Sequence, residues 1–90
     1  MNRKSKMINL VEIVQNQEGF LLREVVVNPS HVISITPDVD AAALHASGKL
    51  PTGLHPAQQF SKVVLADGRS IRVVGNPSMV GDKAKKLLFG

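Results

Sequence analysis

Two cations in the second half of the chain have the spacing that most clearly suggests chemistry. The strands on either side of Asp67-Gly68 alternate apolar and polar residues, and a turn with Gly68 in the left-handed region sets Lys62 opposite Arg72. Like charges facing each other across a strand pair are destabilising, so we expect either a neighbouring carboxylate or a bound anion beside them. Together with Arg69, they form a predicted binding site for an anionic ligand.

The triplet Ser47-Gly48-Lys49 supplies further candidates for anion binding. A phosphate-binding P-loop needs a glycine five residues before the Gly-Lys pair and Ser or Thr after the lysine, but the chain has Ala43 and Leu50 there. A P-loop that hydrolyses nucleotides is therefore excluded. Glycine amides beside a lysine still suit an anion, so Gly48 and Lys49 join the predicted ligand-binding residues; the alternative is an ordinary mobile loop.

No residue pattern predicts catalysis, a metal site or a cofactor. His45 and His55 have no third ligand at a spacing that is typical of metal sites. No serine lies in a nucleophile elbow, and Ser47 is too close to His45 in sequence to imply positioning. We therefore predict a protein that is not an enzyme and has no catalytic residue, metal or cofactor.

Length and composition favour one small cytoplasmic domain. The 90 residues include no cysteine, which excludes a disulfide framework and suits a reducing cytosol. The longest apolar stretch is far below the roughly 20 residues that cross a bilayer, so no membrane contact is predicted. A core this small favours self-association, and we expect a homo-oligomer. The net charge of +4 favours anionic partners.

The apolar pattern predicts a mainly β (α+β) fold, a small antiparallel sheet or partly closed barrel of about five strands with a C-terminal helix. Residues 1–6 are predicted to be a basic flexible tail, and residues 7–90 a single β-rich domain with an inserted loop at 38–59. Asn76-Pro77 predicts the start of the helix, because Asn caps and Pro suits the first turn. Strands are predicted at residues 7–14, 20–27, 31–35, 60–66 and 69–74. The helix face is predicted to contain Val80, Ala84, Leu87 and Leu88.

Two local predictions are more specific. In the second hairpin, the turn on Gly68 places its apolar residues on one buried face: Val63, Leu65, Ile71 and Val73. In the inserted loop, Asp38 is predicted to cap a short helix that runs to His45. The apolar residues Leu44, Leu50 and Leu54 of this loop favour a protein partner over an ordinary solvent-exposed loop.

The strand-turn-strand pattern from Val26-Val27-Asn28-Pro29 through Ile35, followed by the hairpin from Val63 to Val73, resembles the small FlbD (SwrD) family of flagellar operons, in a phage-type variant. The inserted loop departs from that family. An enlarged loop on a small β scaffold is also similar to the phage Thoeris anti-defence sponges. That second resemblance implies an oligomer in the host cytoplasm that sequesters a nucleotide-like signal without cleaving it.

Three functions follow as hypotheses. The first is a non-catalytic protein that sequesters an anionic, nucleotide-like ligand. The second is a protein-interaction module that binds and inhibits or regulates a host protein, through the inserted loop or an exposed strand edge. The third is nucleic-acid binding through the basic tail and the lysines of the C-terminal helix. Few aromatic side chains are present for base stacking, so this hypothesis is the least favoured.

Overall fold

The structure, a computed structural model, describes the backbone of residues 7–89 and the side chains of residues 7–85. The predicted tail, and the side chains of Lys86, Leu87 and Leu88, lie outside this range. The helices and strands in chain order are β1 (Ile8–Asn16), β2 (Gly19–Val27), β3 (Val32–Pro37), α1 (Val39–Ala46), β4 (Phe60–Leu65), β5 (Ser70–Val74) and α2 (Pro77–Phe89), with a single 3-10 turn (Pro29–His31) before β3.

The five strands form one antiparallel sheet in the order β2-β1-β5-β4-β3. This confirms the predicted class, a mainly β sheet of five strands followed by a helix, with the sheet open and not closed into a barrel. β2 and β3 are therefore its two edges. No helix in the described part of the chain is long and apolar enough to cross a membrane.

The second hairpin has the predicted register. Gly68 adopts a φ of +93°, and the Leu65 N–H donates to the Arg69 carbonyl at 2.8 Å. Lys62 pairs with Arg72 and Val63 with Ile71, as the binary pattern required. The first hairpin is longer than predicted. Its strands extend to Asn16 and Gly19, because the turn between them contains only two residues.

One face of the sheet packs against α2. This α2-side core contains the predicted face of the second hairpin together with residues from β1, β2 and the helix: Ile8, Leu10, Val27, Val63, Leu65, Val73, Val80 and Ala84, with Ile71 packed beside them. The helix begins as predicted, since Asn76 Oδ1 accepts from the Met79 N–H at 2.8 Å. Ser61 is fully buried, and its hydroxyl donates to the Gly75 carbonyl at 2.7 Å, which satisfies its polar group.

The opposite face is also covered, by α1 and residues 47–59. Ile13, Ala41, Leu50 and Phe60 form this α1-side core, and Leu44 and Leu54 pack against it. Leu50 is only 6% exposed and belongs to the interior, so it is not available to a protein partner, whereas Leu44 and Leu54 are partly buried. The predicted helix is present as α1, and the Asp38 Oδ1 atom accepts from the Ala41 N–H at 3.0 Å.

Candidate binding site

Arg72 lies against two carboxylates at the N-terminal end of α1, those of the cap residue Asp38 and of Asp40. Its Nε is 3.2 Å from Asp38 Oδ2, and a second nitrogen is 4.0 Å from Asp40 Oδ2. The Asp38 side chain is 3% exposed, and its Oδ2 accepts no hydrogen bond from any described residue, so the ion pair with Arg72 provides its compensation. Of the two expected compensations for the facing cations, the structure contains the neighbouring carboxylate.

Lys62 and Arg69 lie in different surroundings from Arg72. Lys62 is exposed and stands opposite Arg72 in the ladder, on the α1 side of the sheet. Arg69 is three residues before Arg72, and side chains alternate between the faces of a strand. Arg69 accordingly lies on the α2 side, where it lines a groove. The five predicted ligand-binding residues are therefore divided between the two faces of the sheet.

Gly48 and Lys49 end α1. The Gly48 N–H donates to the His45 carbonyl and the Lys49 N–H donates to the Leu44 carbonyl, both at 3.0 Å, with Gly48 at a φ of +75°. This is the Schellman arrangement, in which a left-handed glycine satisfies the last carbonyls of a helix. Both amides are therefore occupied by the helix end. A glycine directly after a helical pattern is a known stop signal and could have indicated this from the sequence.

An open groove of about 860 Å³ lies between β2 and the turn of the second hairpin and is referred to below as the β2 groove. Its apolar lining comes from both sides: Met7, Val25, Val26, Val27, Leu65, Ala66 and Ile71. Its polar lining residues are Glu12, Arg23, Asn28, His31, Asp67 and Arg69. An apolar lining with a few convergent polar groups is typical of a binding site.

Two ion pairs stand in the lining of the β2 groove. Arg23 donates to Glu12 at 3.1 Å, and Arg69 Nε donates to Asp67 at 2.8 Å. In each pair the arginine side chain is the more exposed partner: 60% for Arg23 against 15% for Glu12, and 71% for Arg69 against 56% for Asp67. The groove therefore presents cationic donors to a ligand, although its formal charges are balanced.

Asp67 holds Arg69 in place at the groove. Hydrogen bonds from the Arg69 backbone N–H and then from its side chain lower the pKa of Asp67 below the ordinary value of 3.8. The pKa of Asp67 is lower in the folded state than in the unfolded state. These bonds therefore stabilise the fold fully at a pH above the unfolded-state pKa, and their contribution is lost as the pH falls through the folded-state pKa.

We expect Asp67→Asn to reduce the pH dependence of stability in the range below about pH 4. The effect should be small, because the carboxylate is exposed and screened by solvent. Thermal unfolding followed from about pH 5 to pH 2 measures it. If the melting temperature falls with pH equally steeply in the variant and the wild type, the contacts between Asp67 and Arg69 do not persist in solution.

β2 has a free edge beside this groove. Asn16 and Gly19 close a two-residue turn, and a pair that closes such a turn exchanges backbone hydrogen bonds. Bonded and non-bonded pairs alternate along an antiparallel ladder. The odd-numbered residues of β2 therefore bond to β1, and the even-numbered residues, among them Glu24 and Val26, direct their N–H and C=O groups outward. No strand within the described residues pairs with them.

The other edge of the sheet is protected. β3 has six residues against nine in β2, and it contains Pro37 at its end. Its register shifts between Val32 and Ser34, which leaves Ile33 as an extra residue in a bulge. Short length, proline and bulges all prevent pairing at a sheet edge. The open edge of this sheet is therefore β2.

Sequence reasoning missed the β2 groove, because its two walls are about 40 residues apart in the chain. Only Arg69 belongs both to the groove and to the predicted ligand-binding residues. No group of three or more His, Cys, Asp or Glu side chains in the described range is arranged to hold a metal ion.

Comparison of the chain with protein-family models, with curated proteins and with solved structures yields no match. The resemblances drawn from the sequence therefore stay expectations, and function is argued from the site.

Proposed function

We propose that this protein is a non-catalytic interaction module that accepts an extended segment of another protein as an added strand along β2. The observation that carries the proposal is a free nine-residue strand edge that is continuous with an apolar groove. In strand addition, main-chain hydrogen bonds supply affinity, and alternate side chains entering pockets supply specificity. A strand added to β2 would place every second side chain on the α2 side, next to Val25 and Val27 in the groove.

The exposed apolar residues of this region support the proposal. Met7, which lines the groove, is 43% exposed, and Val26, on the free edge beside the groove, is 53% exposed. Exposed apolar surface that is continuous and bordered by polar groups is a mark of an interaction site. If the chain is phage-encoded, as the resemblance implies, the partner is a host protein that the module inhibits or regulates.

The test uses a labelled peptide as long as β2 that alternates valine and threonine, with fluorescence anisotropy as the readout. Glu24→Pro removes an outward-directed N–H, whereas proline at an edge position leaves the ladder to β1 intact. We expect this variant to bind the peptide at least about tenfold more weakly, a loss of about 1.4 kcal/mol.

Glu24→Thr is the matched control, because it removes the same charge and keeps the N–H. It should bind the peptide as the wild type does. Circular dichroism must show that both variants are folded. Equal affinities of the proline and threonine variants would refute strand addition along β2.

A second function, sequestration of a nucleotide-like anion, is supported by the exposed guanidinium groups of Arg23 and Arg69 at the groove. The groove volume is within the range of about 300 to 1,000 Å³ that is usual for small-molecule sites. Native mass spectrometry with a nucleotide panel tests this function and also reports whether the protein is a homo-oligomer. Uptake that Arg69→Gln reduces and Glu24→Pro leaves unchanged would favour the small ligand over the added strand.

A further inference from the structure

We infer that the segment accepted by β2 belongs to a different protein and carries carboxylates beside its apolar side chains, an inference that rests on the function proposed above. It has two parts, the identity of the partner chain and its charge. Each part depends on the positions of charged residues along β2 and the groove.

A second copy of this chain is a poor partner for β2. Two copies that pair antiparallel at this edge are related by a two-fold axis perpendicular to the sheet, which keeps every residue on its own face. Arg23 lies on the groove face, and Glu24 lies on the opposite face, because side chains alternate along a strand. In no such register can Arg23 of one copy therefore stand opposite Glu24 of the other.

The register that uses the whole strand is unfavourable. Pairing all nine residues of β2 places Arg23 opposite its own symmetry copy, and one of the two seven-residue registers beside it places Glu24 opposite its copy. The other seven-residue register leaves Arg23 and Glu24 opposite apolar residues, with no opposite charge to pair with. Like charges directly opposite each other across strands are destabilising. Charged residues at the centre of an edge strand thus act against self-pairing, which is how natural sheets protect their edges. A strand from another protein is free of this symmetry constraint.

The charge of the partner follows from the exposure of the ion pairs. The Glu12 side chain is largely covered, whereas the Arg23 side chain that donates to it is mostly exposed. Arg69 is likewise more exposed than Asp67. Both cations can therefore donate further hydrogen bonds to a carboxylate without losing their present partners, and charge-assisted bonds of this kind are the stronger ones.

The net charge of the chain acts in the same direction. Lysine and arginine exceed aspartate and glutamate over the full sequence, which gives a net charge of +4. An acidic segment is thus attracted to the groove, and a basic segment is repelled from it.

The test compares three labelled peptides of equal length with the same alternating valine and threonine centre and with glutamate, lysine or serine at both ends. We expect the glutamate peptide to bind about tenfold more tightly than the lysine peptide, since two charge contacts of up to about 0.7 kcal/mol each correspond to that ratio. The ratio should fall as salt is raised from about 0.05 M to 1 M, because screening weakens contacts between exposed charges.

Variants of the two cations locate the effect. Arg23→Gln and Arg69→Gln should each reduce the ratio of the two affinities. Lys62→Gln is the matched control, because Lys62 is an exposed cation on the α1 side of the same sheet. It should leave the ratio unchanged.

The outcomes separate the inference from the function on which it rests. Equal binding of the glutamate and lysine peptides, with the serine peptide still sensitive to Glu24→Pro, would overturn the acidic partner and leave strand addition standing. Failure of all three peptides to bind would overturn both. Sedimentation analysis tests the partner identity, since a wild-type dimer that Glu24→Pro dissociates would show that β2 binds a second copy.

Discussion

Replacing Arg72 with methionine is expected to lower the free energy of unfolding by about 3 kcal/mol, which is the lower end of the usual cost of breaking a buried ion pair. The substitution keeps an unbranched side chain of similar length but leaves the Asp38 carboxylate, 3% exposed, without a cation. The lower end applies because the Arg72 side chain is still 34% exposed. Urea denaturation of both proteins measures the difference.

Lys62→Met is the matched control for this prediction. Lys62 pairs with Arg72 across the ladder on the same face, but it is exposed, and no ion pair of this lysine is present within residues 7–85. Its replacement should change the stability by no more than about 0.5 kcal/mol. Similar losses of stability in Arg72→Met and Lys62→Met would mean that the ion pair between Arg72 and Asp38 does not stabilise the fold.

A double-mutant cycle separates the charge effect from the capping effect. Asp38→Asn keeps a side-chain oxygen for the Ala41 N–H, so α1 keeps its N-cap while the negative charge is removed. The Asp38→Asn, Arg72→Met double variant should lose less stability than the sum of the losses of the two single variants. In the double variant both charges of the pair are removed, so no buried charge is left without a partner. Additive losses would contradict an ion pair.

Truncation of Phe60 to alanine is expected to cost about 3 to 4 kcal/mol, as is usual for a phenylalanine in a packed core. Phe60 is 2% exposed and lies in the α1-side core, where its ring meets His45 edge to face with centroids 5.7 Å apart. It therefore joins the sheet to α1. Urea denaturation measures the loss of stability. The hydrogen exchange of backbone amides should be accelerated more in α1 than in β4.

Val39→Ala is the control for the core truncation. Val39 is the first residue of α1 and is 74% exposed. Its replacement by alanine removes two methyl groups from the helix without opening a cavity in the core. It should change stability by no more than about 0.5 kcal/mol. If Phe60→Ala is as mild as this control, then α1 is not held to the sheet by that core.

The predictions for Arg72 and Phe60 also bear on function, because both residues lie on the side of the sheet opposite the β2 groove. Arg72 and Phe60 attach α1 and the segment after it, whereas the groove and the free edge belong to the α2 side and to β2. A modest destabilisation of the α1 side should therefore leave peptide binding intact. Loss of binding in a folded Arg72→Met variant would show that the two sides are coupled.

Much of the fold was predictable from the sequence because it depends on neighbouring residues. Gly68 after Asp67 defined the second turn, and the alternation on either side of it then determined which residues face each other. Asp38 and Asn76 were recognisable as helix caps, since each accepts a hydrogen bond from an N–H three residues later. The end of the first hairpin was less clear, because its polar turn residues allow several loop lengths.

The candidate site was predicted less well than the fold. Lys62 and Arg72 do face each other, but local pattern did not indicate that Asp38 lies beneath Arg72, although a nearby carboxylate was one of the two expectations. The loop leucines had suggested a partner surface, yet an apolar residue in a long connection can equally fill a second core. The pattern of Leu50 alone does not distinguish these two roles.

By itself, the sequence determined the strands, the turn on Gly68, the helix caps and the absence of a P-loop, because each depends on residues within a few positions of one another. Only the tertiary structure decided the order of the strands. That order placed β5 at the centre, β2 at a free edge and Arg69 across from Val25 in one groove. Contacts between residues so far apart depend on which strands pair, and the alternation within a strand carries no information about its neighbours.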